Sequence, residues 1–334
     1  MHRAPRACRD LRDRSSGTVG TKRRLHAVQT CACLAAALLI ATFAQAGVVV
    51  NDSWADGGRN NGADPLDSNW WTSSAPAGIE VSVGSLGLVT GTSGRGIHTV
   101  FPTQTLSNAG DKLIATYTFK TPATVGTNLA SSFKVGLFDT LGRAGLDADI
   151  ESSAAAPSPL YGYFAAGTAA LPGYMMDMDV GTGSEDLSFR QHDLPPTATT
   201  PTGRLLGTTT GFTSLSNGPD GAYSFAPNTT YTGSFALTRI SGTQMLLTGT
   251  LGAATHTVTD LFDSANVGML AFWANSNVFG SSPTPGEANN GIDFTNVTIE
   301  YVAVPEPASL SAAATALLLL TSRRRQRTDV PSAQ

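Results

Sequence analysis

The sequence predicts an all-β chain: two antiparallel sheets packed as a jelly-roll sandwich, flanked by an N-terminal signal helix and a C-terminal apolar helix. Three observations predict it. Between residues 47 and 303 no stretch of about twelve residues keeps a helical apolar period, whereas short β-rich segments recur between Gly, Pro, Asn, Asp and Ser. Glycine is abundant, 35 of 334 residues, and charged residues are sparse at 14%, a balance wrong for a helical bundle. A hydrophobic fraction of 41% excludes global disorder and supplies a core.

The first element is a leader. Lys22, Arg23 and Arg24 precede an apolar run, residues 31–43, which ends in Ala44-Gln45-Ala46. A basic start, a short apolar stretch and small residues at A-x-A make the layout of a secretory signal, with cleavage between Ala46 and Gly47. The run is about 13 residues, too short to span a bilayer. Cys8, Cys31 and Cys33 all lie in this leader. A mature chain from Gly47 therefore has no disulfide, no thiol chemistry and no thiolate metal site.

Strands follow. The segments 47–50, 78–83, 86–90, 96–101, 112–119, 132–138, 161–165, 174–179, 187–190, 230–240, 244–251, 255–260, 267–274 and 292–302 read as strands. In 112–119, Leu113, Ala115, Tyr117 and Phe119 share one face. In 292–302 the apolar set shifts once, from Ile292 and Phe294 to Val297, Ile299 and Tyr301, which predicts a bulge near Asn296. Ser241-Gly242-Thr243 joins 230–240 to 244–251, a hairpin connection. Residues 197–213 hold eight Thr and read as a loop or a short Thr-rich hairpin.

The last element mirrors the first. Pro305-Glu306-Pro307 opens it, and the prolines bar helix entry before Ala308. An Ala/Leu run over 308–321 follows, then Arg323, Arg324 and Arg325, a cytoplasmic stop under the positive-inside rule. This order resembles the PEP-CTERM sorting signal of exopolysaccharide-forming Gram-negative bacteria, over residues 304–327. The resemblance implies recognition by an exosortase after passage through the general secretion machinery. It implies transient membrane anchoring by the apolar helix and removal of the tail at the cell surface. The apolar run measures about 21 Å as a helix, shorter than a hydrocarbon core of about 30 Å. The domains expected are a signal peptide (1–46), a β-sandwich (47–303), a sorting signal (304–327) and a disordered tail (328–334).

Removing both ends exposes the charge of the middle. Residues 47–304 carry nine basic and twenty-one acidic side chains. Nucleic-acid binding needs a basic footprint, so that class is excluded. The strand near 112, the Phe-Lys-Val-Gly-Leu-Phe strand at 133–138, the 230–251 hairpin and the final strand together resemble the concanavalin A-like lectin/glucanase sandwich. That resemblance implies a glycan or exopolysaccharide partner.

Four constellations bear on chemistry. Asp147, Asp149 and Glu151 alternate, the spacing by which glucanase-like sandwiches line carboxylates on one strand face. The Gly and Ala around them favour a loop, so catalysis is not expected. Asp177 and Asp179 share a strand face, with Asp186 one turn later, and would offer calcium part of its six to eight oxygens. Asp52, Asp56, Asp64 and Asp67 lie among Asn and Gly, a calcium-loop composition whose alternative is Asx turns. Trp70, Trp71 and Trp273 are candidates for stacking on sugars; adjacent Trp70 and Trp71 point opposite ways if extended. The leading expectation is a non-enzymatic exported protein of the cell surface or extracellular matrix that binds glycan. The alternatives are a secreted glycan hydrolase or lyase, and a purely structural matrix component.

Overall fold

The computed structural model describes residues 45–60, 66–72, 78–90, 94–126, 133–142, 146–149, 171–179, 187–192, 206–207, 209, 211–218, 224–261, 264–276, 278–280 and 290–304. The chain divides into two compact units, Ala44–Val304 and a second made of Met1–Phe43 with Pro305–Gln334. The second unit lies outside the described residues. Pro305, Glu306, Pro307, Arg323, Arg324 and Arg325 therefore lie outside them, as do the two expected terminal helices, and so does Ala44 at the start of the first unit.

The described residues form fifteen strands and no helix. They are β1 (Gln45–Asp52), β2 (Trp70–Thr72), β3 (Ile79–Ser82), β4 (Ser85–Val89), β5 (Arg95–Thr105), β6 (Lys112–Lys120), β7 (Phe133–Phe138), β8 (Gly173–Met178), β9 (Ser188–His192), β10 (Phe212–Ser216), β11 (Thr230–Arg239), β12 (Gln244–Leu251), β13 (Ala254–Leu261), β14 (Asn266–Ala274) and β15 (Gly291–Ala303). All pairings are antiparallel. The back sheet runs β13-β12-β11-β6-β15-β4-β3, and β1 pairs with β15 beside it. The front sheet runs β10-β9-β8-β7-β14-β5-β2. This is the expected all-β sandwich.

Alternation decides which side chains meet between the sheets. From β6, Leu113, Ala115, Tyr117 and Phe119 are all buried inward, as their period of two requires. Phe272 of the front sheet packs on Phe294 of the back sheet at a ring separation of 4.5 Å, and Tyr117 meets Phe272 edge-on at 5.3 Å. Burying each such side chain stabilises the fold by roughly 1.5–3 kcal/mol.

The outer face of the back sheet is polar and uncharged in its middle. Register places Asn51, Thr298, Thr116, Ser234, Thr250 and Thr255 in one row across six strands. Ser234 and Thr250 share a hydroxyl hydrogen bond at 2.7 Å, and the Thr298 hydroxyl donates to Asn51 Oδ1 at 3.2 Å. β-branched hydroxyls suit this solvated side of a sheet.

The register shift on β15 falls between Phe294 and Asn296, where the alternation placed the bulge. The β11–β12 hairpin closes through Ser241–Thr243, with the Ile240 N–H donating to the Gln244 carbonyl at 2.9 Å. Three elements differ from expectation. β5 runs on from Phe101 to Thr105, passing Pro102 at a register shift against β14, where a residue without an N–H costs no regular ladder bond. β2 and β10 pair as edge strands outside the expected set. The segment 161–165 lies outside the described residues.

Candidate functional site

The front sheet's outer face differs from the back sheet's. Its rows follow directly from strand register. One row reads Val100, Met269, Phe138, Gly173, His192 and Phe212. Leu146, Leu171 and Leu206 cover this end, forming a second apolar cluster with Phe138, Met175, Met269, Ala271 and Trp273. A sheet face that would otherwise meet water is thus partly roofed by loop side chains.

The opposite end is polar. Gly96, Trp273, Lys134, Asp177 and Ser188 form a row across β5, β14, β7, β8 and β9. Lys134 is 1% exposed and Asp177 3%. The Lys134 Nζ lies 3.7 Å from Asp177 Oδ2 and 5.3 Å from the Trp273 ring centroid, a cation–π contact. Arg190 reaches the same Asp177 oxygen, with its Nε at 3.6 Å. Burial pushes the Lys134 ammonium down from the usual lysine range; Asp177 and Asp179 oppose that shift, and Arg190 adds to it.

Between these two rows lies a third, Trp71, His98, Ala271, Gly136, Met175 and Arg190. The Trp71 and His98 rings sit 5.6 Å apart. His98 is fully buried, and its Nε2 is 2.7 Å from the Leu146 carbonyl, to which a neutral imidazole donates. Burial lowers its pKa to about 4.

Beside this row Arg59 clamps Asp149 with two hydrogen bonds, at 2.7 and 2.6 Å, and the Thr72 N–H donates to the same carboxylate at 3.0 Å. Burial pushes Asp149 up, but these donors outweigh it and hold the carboxylate below its usual range. Leu146–Asp149 is bend and loop rather than strand, and Asp147 points to solvent. The alternating-strand arrangement of Asp147, Asp149 and Glu151 is therefore not formed over the described part, and Glu151 lies outside it.

The expected calcium set does not fit either. Asp177 stands between two cations, so its charge is already neutralised and a divalent ion would meet Lys134 and Arg190 first. Asp179 is half-buried at the end of the strand, and Asp186 lies outside the described residues. Among the described residues no group of three His, Cys, Asp or Glu side chains is placed to hold a metal. At the opening loop, Asp52 accepts from the Trp54 N–H at 2.9 Å and from Trp70 Nε1 at 2.7 Å. Burial pushes this carboxyl up despite those donors. Asp56 makes an Asx turn to the Gly58 N–H at 2.8 Å. Asp64 lies outside the described residues.

The tryptophans separate by face. Trp70 is fully buried in the core, stacked against Phe272 at 6.1 Å, so it has no face open to a sugar. Trp71 points the other way and is half-buried. Trp273 is 8% exposed, on the outer face with Trp71. Trp273 stands out in the sequence by residue type, whereas Lys134, Arg190 and Arg59 do not. A lysine inside the apolar run Phe133–Phe138 was the available signal.

No protein-family model matches the chain, and no curated protein matches it. Solved structures do. A basic winged bean lectin bound to Tn-antigen aligns at TM-score 0.42 and 8% identity, covering 78% of this chain and all of that one (100%). An endo-1,3-beta-glucanase from Streptomyces sioyaensis aligns at 0.40 and 13%, covering 78% and 97%. The Lotus tetragonolobus seed lectin aligns at 0.41 and 9%, covering 77% and 100%. The two-sheet architecture stands on this chain's own strand pairing.

Proposed function

We propose that the chain is exported, cut at both ends, and displayed at the cell surface or in the extracellular matrix, where its sandwich binds glycan without catalysis. One observation carries the binding reading. Trp71 and Trp273, distant in sequence, stand on one sheet face beside Lys134, His98 and Arg190. Indole faces flanked by fixed polar groups suit sugar rings, which present apolar C–H faces and polar rims. The non-catalytic reading is supported by the state of the carboxylates. Asp52, Asp149 and Asp177 are each committed to donors or cations. Glycoside hydrolysis needs one carboxyl free to give a proton and another free to attack or activate water.

Export rests on the leader and the tail in the sequence. In the fold, β1 and β15 are neighbours, and Gln45 sits opposite Ala303. Cleavage after Ala46 leaves the pairs from Gly47–Tyr301 to Asp52–Val297 intact.

The test is direct. Protein recovered from the medium or envelope of an exosortase-bearing host is sequenced at both termini by mass spectrometry, then passed over immobilised glycans. The expected protein starts at Gly47, lacks Arg323–Arg325 and is retained, with retention reduced about tenfold by Trp71→Ala, the order of one stacked aromatic. A recovered protein that keeps the arginines refutes sorting. Passage through every glycan column refutes binding.

A further inference from the structure

We propose that Lys134 and Asp177 become joined by an intramolecular amide, an isopeptide bond that the folded front sheet forms on itself. This is a covalent modification site, and it stands apart from the glycan reading.

Register brings the two residues together. Lys134 of β7 and Asp177 of β8 are direct partners across an antiparallel pair, so their side chains leave the same face side by side. Lys134 is 1% exposed and Asp177 3%. Lys134 Nζ lies 3.7 Å from Asp177 Oδ2, an oxygen on the carbon that the amine would attack. Reacting atoms in near-attack conformers stand about 3–3.5 Å apart. The Trp273 ring, its centroid 5.3 Å from Nζ, helps to shut out water. Burial penalises both charges of the pair, and passage of one proton removes both. Burial accordingly pushes the Lys134 ammonium down towards the free amine, against the pull of Asp177. The free amine is a nucleophile. The protonated carboxyl is its electrophile. Holding the two together is worth an effective concentration of about 10⁵–10⁸ M, which drives an amide that separate molecules would not form in water.

The atoms balance without an oxidant or co-reactant. One proton passes from the Lys134 ammonium to the Asp177 carboxylate. The Nζ lone pair then attacks Cγ of Asp177, and a tetrahedral intermediate forms. Arg190 Nε, 3.6 Å from Oδ2, is placed to steady the oxygen that gathers negative charge. A second proton moves from Nζ to the departing oxygen, which leaves with its electron pair as water. One hydrogen stays on the amide nitrogen. Asp179, two residues beyond Asp177 and close enough to act on Lys134, is the relay for that second proton. The product exchanges two buried charges for a neutral amide. It also staples β7 to β8 in a sandwich without cysteine, since Cys8, Cys31 and Cys33 all precede Gly47. Such a bond restricts the unfolded chain as a disulfide does.

The purified full chain is denatured, weighed by intact-mass spectrometry and digested with trypsin. The expected mass is one water below that of the sequence. The peptide carrying Lys134 should be joined to the peptide carrying Asp177, with no cleavage after Lys134. A full mass with the two peptides separate overturns the bond. A water lost elsewhere, as in a succinimide at Asp56-Gly57, also leaves the peptides separate and overturns it equally. Lys134→Met removes the nucleophile and should restore the full mass, but its burial risks the fold. Asp179→Asn, at the end of the strand, is the milder variant. With circular dichroism unchanged, its linked peptide should accumulate at least about tenfold more slowly after synthesis, the scale of a lost proton relay. Accumulation at the wild-type rate overturns the role of Asp179.

Discussion

At the scale of single residues, His98 shows how burial sets chemistry. Its ring lies under the loop carrying Leu146, and desolvation holds its pKa near 4. The unfolded chain binds a proton on this residue near pH 6.5, and the folded chain does not. The stability linked to His98 is therefore fully present above pH 6.5 and is lost as pH falls from there towards 4. Between pH 7 and 5 the loss is about 2 kcal/mol, from roughly 1.4 kcal/mol per unit of displaced titration. Urea unfolding at the two pH values measures it, and His98→Gln should remove most of the difference. A wild-type midpoint unchanged at pH 5 would show that the ring protonates freely in the folded chain. Asp149 acts with the same sign lower down: held below its usual range, its contribution is lost only as pH falls beneath about 3.8. The two windows are separable in one titration. Arg59 is the residue that makes the lower one, through its fork on Asp149.

At the scale of elements, close approach of the sheets is set by small residues in long strands. Gly249 sits in β12 facing the core, where an added methyl would land on the Met176 sulfur and press on the Phe189 ring. Both are buried side chains of the front sheet, so Met176 and Phe189 must repack, or the sheets separate locally, to admit it. Gly249→Ala should cost about 1–3 kcal/mol, the usual price of overpacking, read as a lower urea midpoint with an unchanged slope. Strands of this kind were legible in the sequence because one face is buried and the other wet. β6, β11, β12 and β15 alternate, and even the bulge at Asn296 follows from the slip in the apolar pattern. β2 and β10 were not legible. The first is three residues long, and the second, Phe-Thr-Ser-Leu-Ser, presents no alternation; both sit at sheet edges, where one neighbour suffices. The front-sheet site was legible only in part. Trp71 and Trp273 stood out by residue type. Lys134 and Arg190 join them through cross-strand register, which depends on long-range pairing and has no local mark. The acidic pairs misled for the same reason: Asp177 looks like a free ligand until its neighbours across the sheet are known.

At the scale of the whole molecule, the first and last strands close one edge of the back sheet together. β15 gives one side to β6 from Asp293 to Val302; its other side is shared, with β4 covering Gly291–Phe294 and β1 covering Val297–Ala303. The end of β15 is fastened by Asp111, a fully buried carboxylate that accepts from the Val304 N–H at 2.8 Å and the Tyr301 hydroxyl at 3.3 Å. β1 carries more than its pairing. Val50 enters the core, and Asp52 ties Trp54 and Trp70 to the strand end. A chain beginning at Gly47 should therefore melt within a few degrees of one beginning upstream, since it gives up only the terminal Gln45–Ala303 and Ala46–Val302 pairs. A chain beginning at Ser53 should behave differently. It leaves the β15 edge from Val297 to Ala303 without its partner, opens a cavity at Val50, and strips the acceptor from the buried Trp70 indole. These losses sum to several kcal/mol, a large share of a domain's stability of about 5–15 kcal/mol. The open edge is also a template for pairing with a second chain. Thermal melts and size-exclusion chromatography of the two truncations decide the matter. A Ser53 chain that stays monomeric and melts with the Gly47 chain would show that β1 is dispensable to the fold.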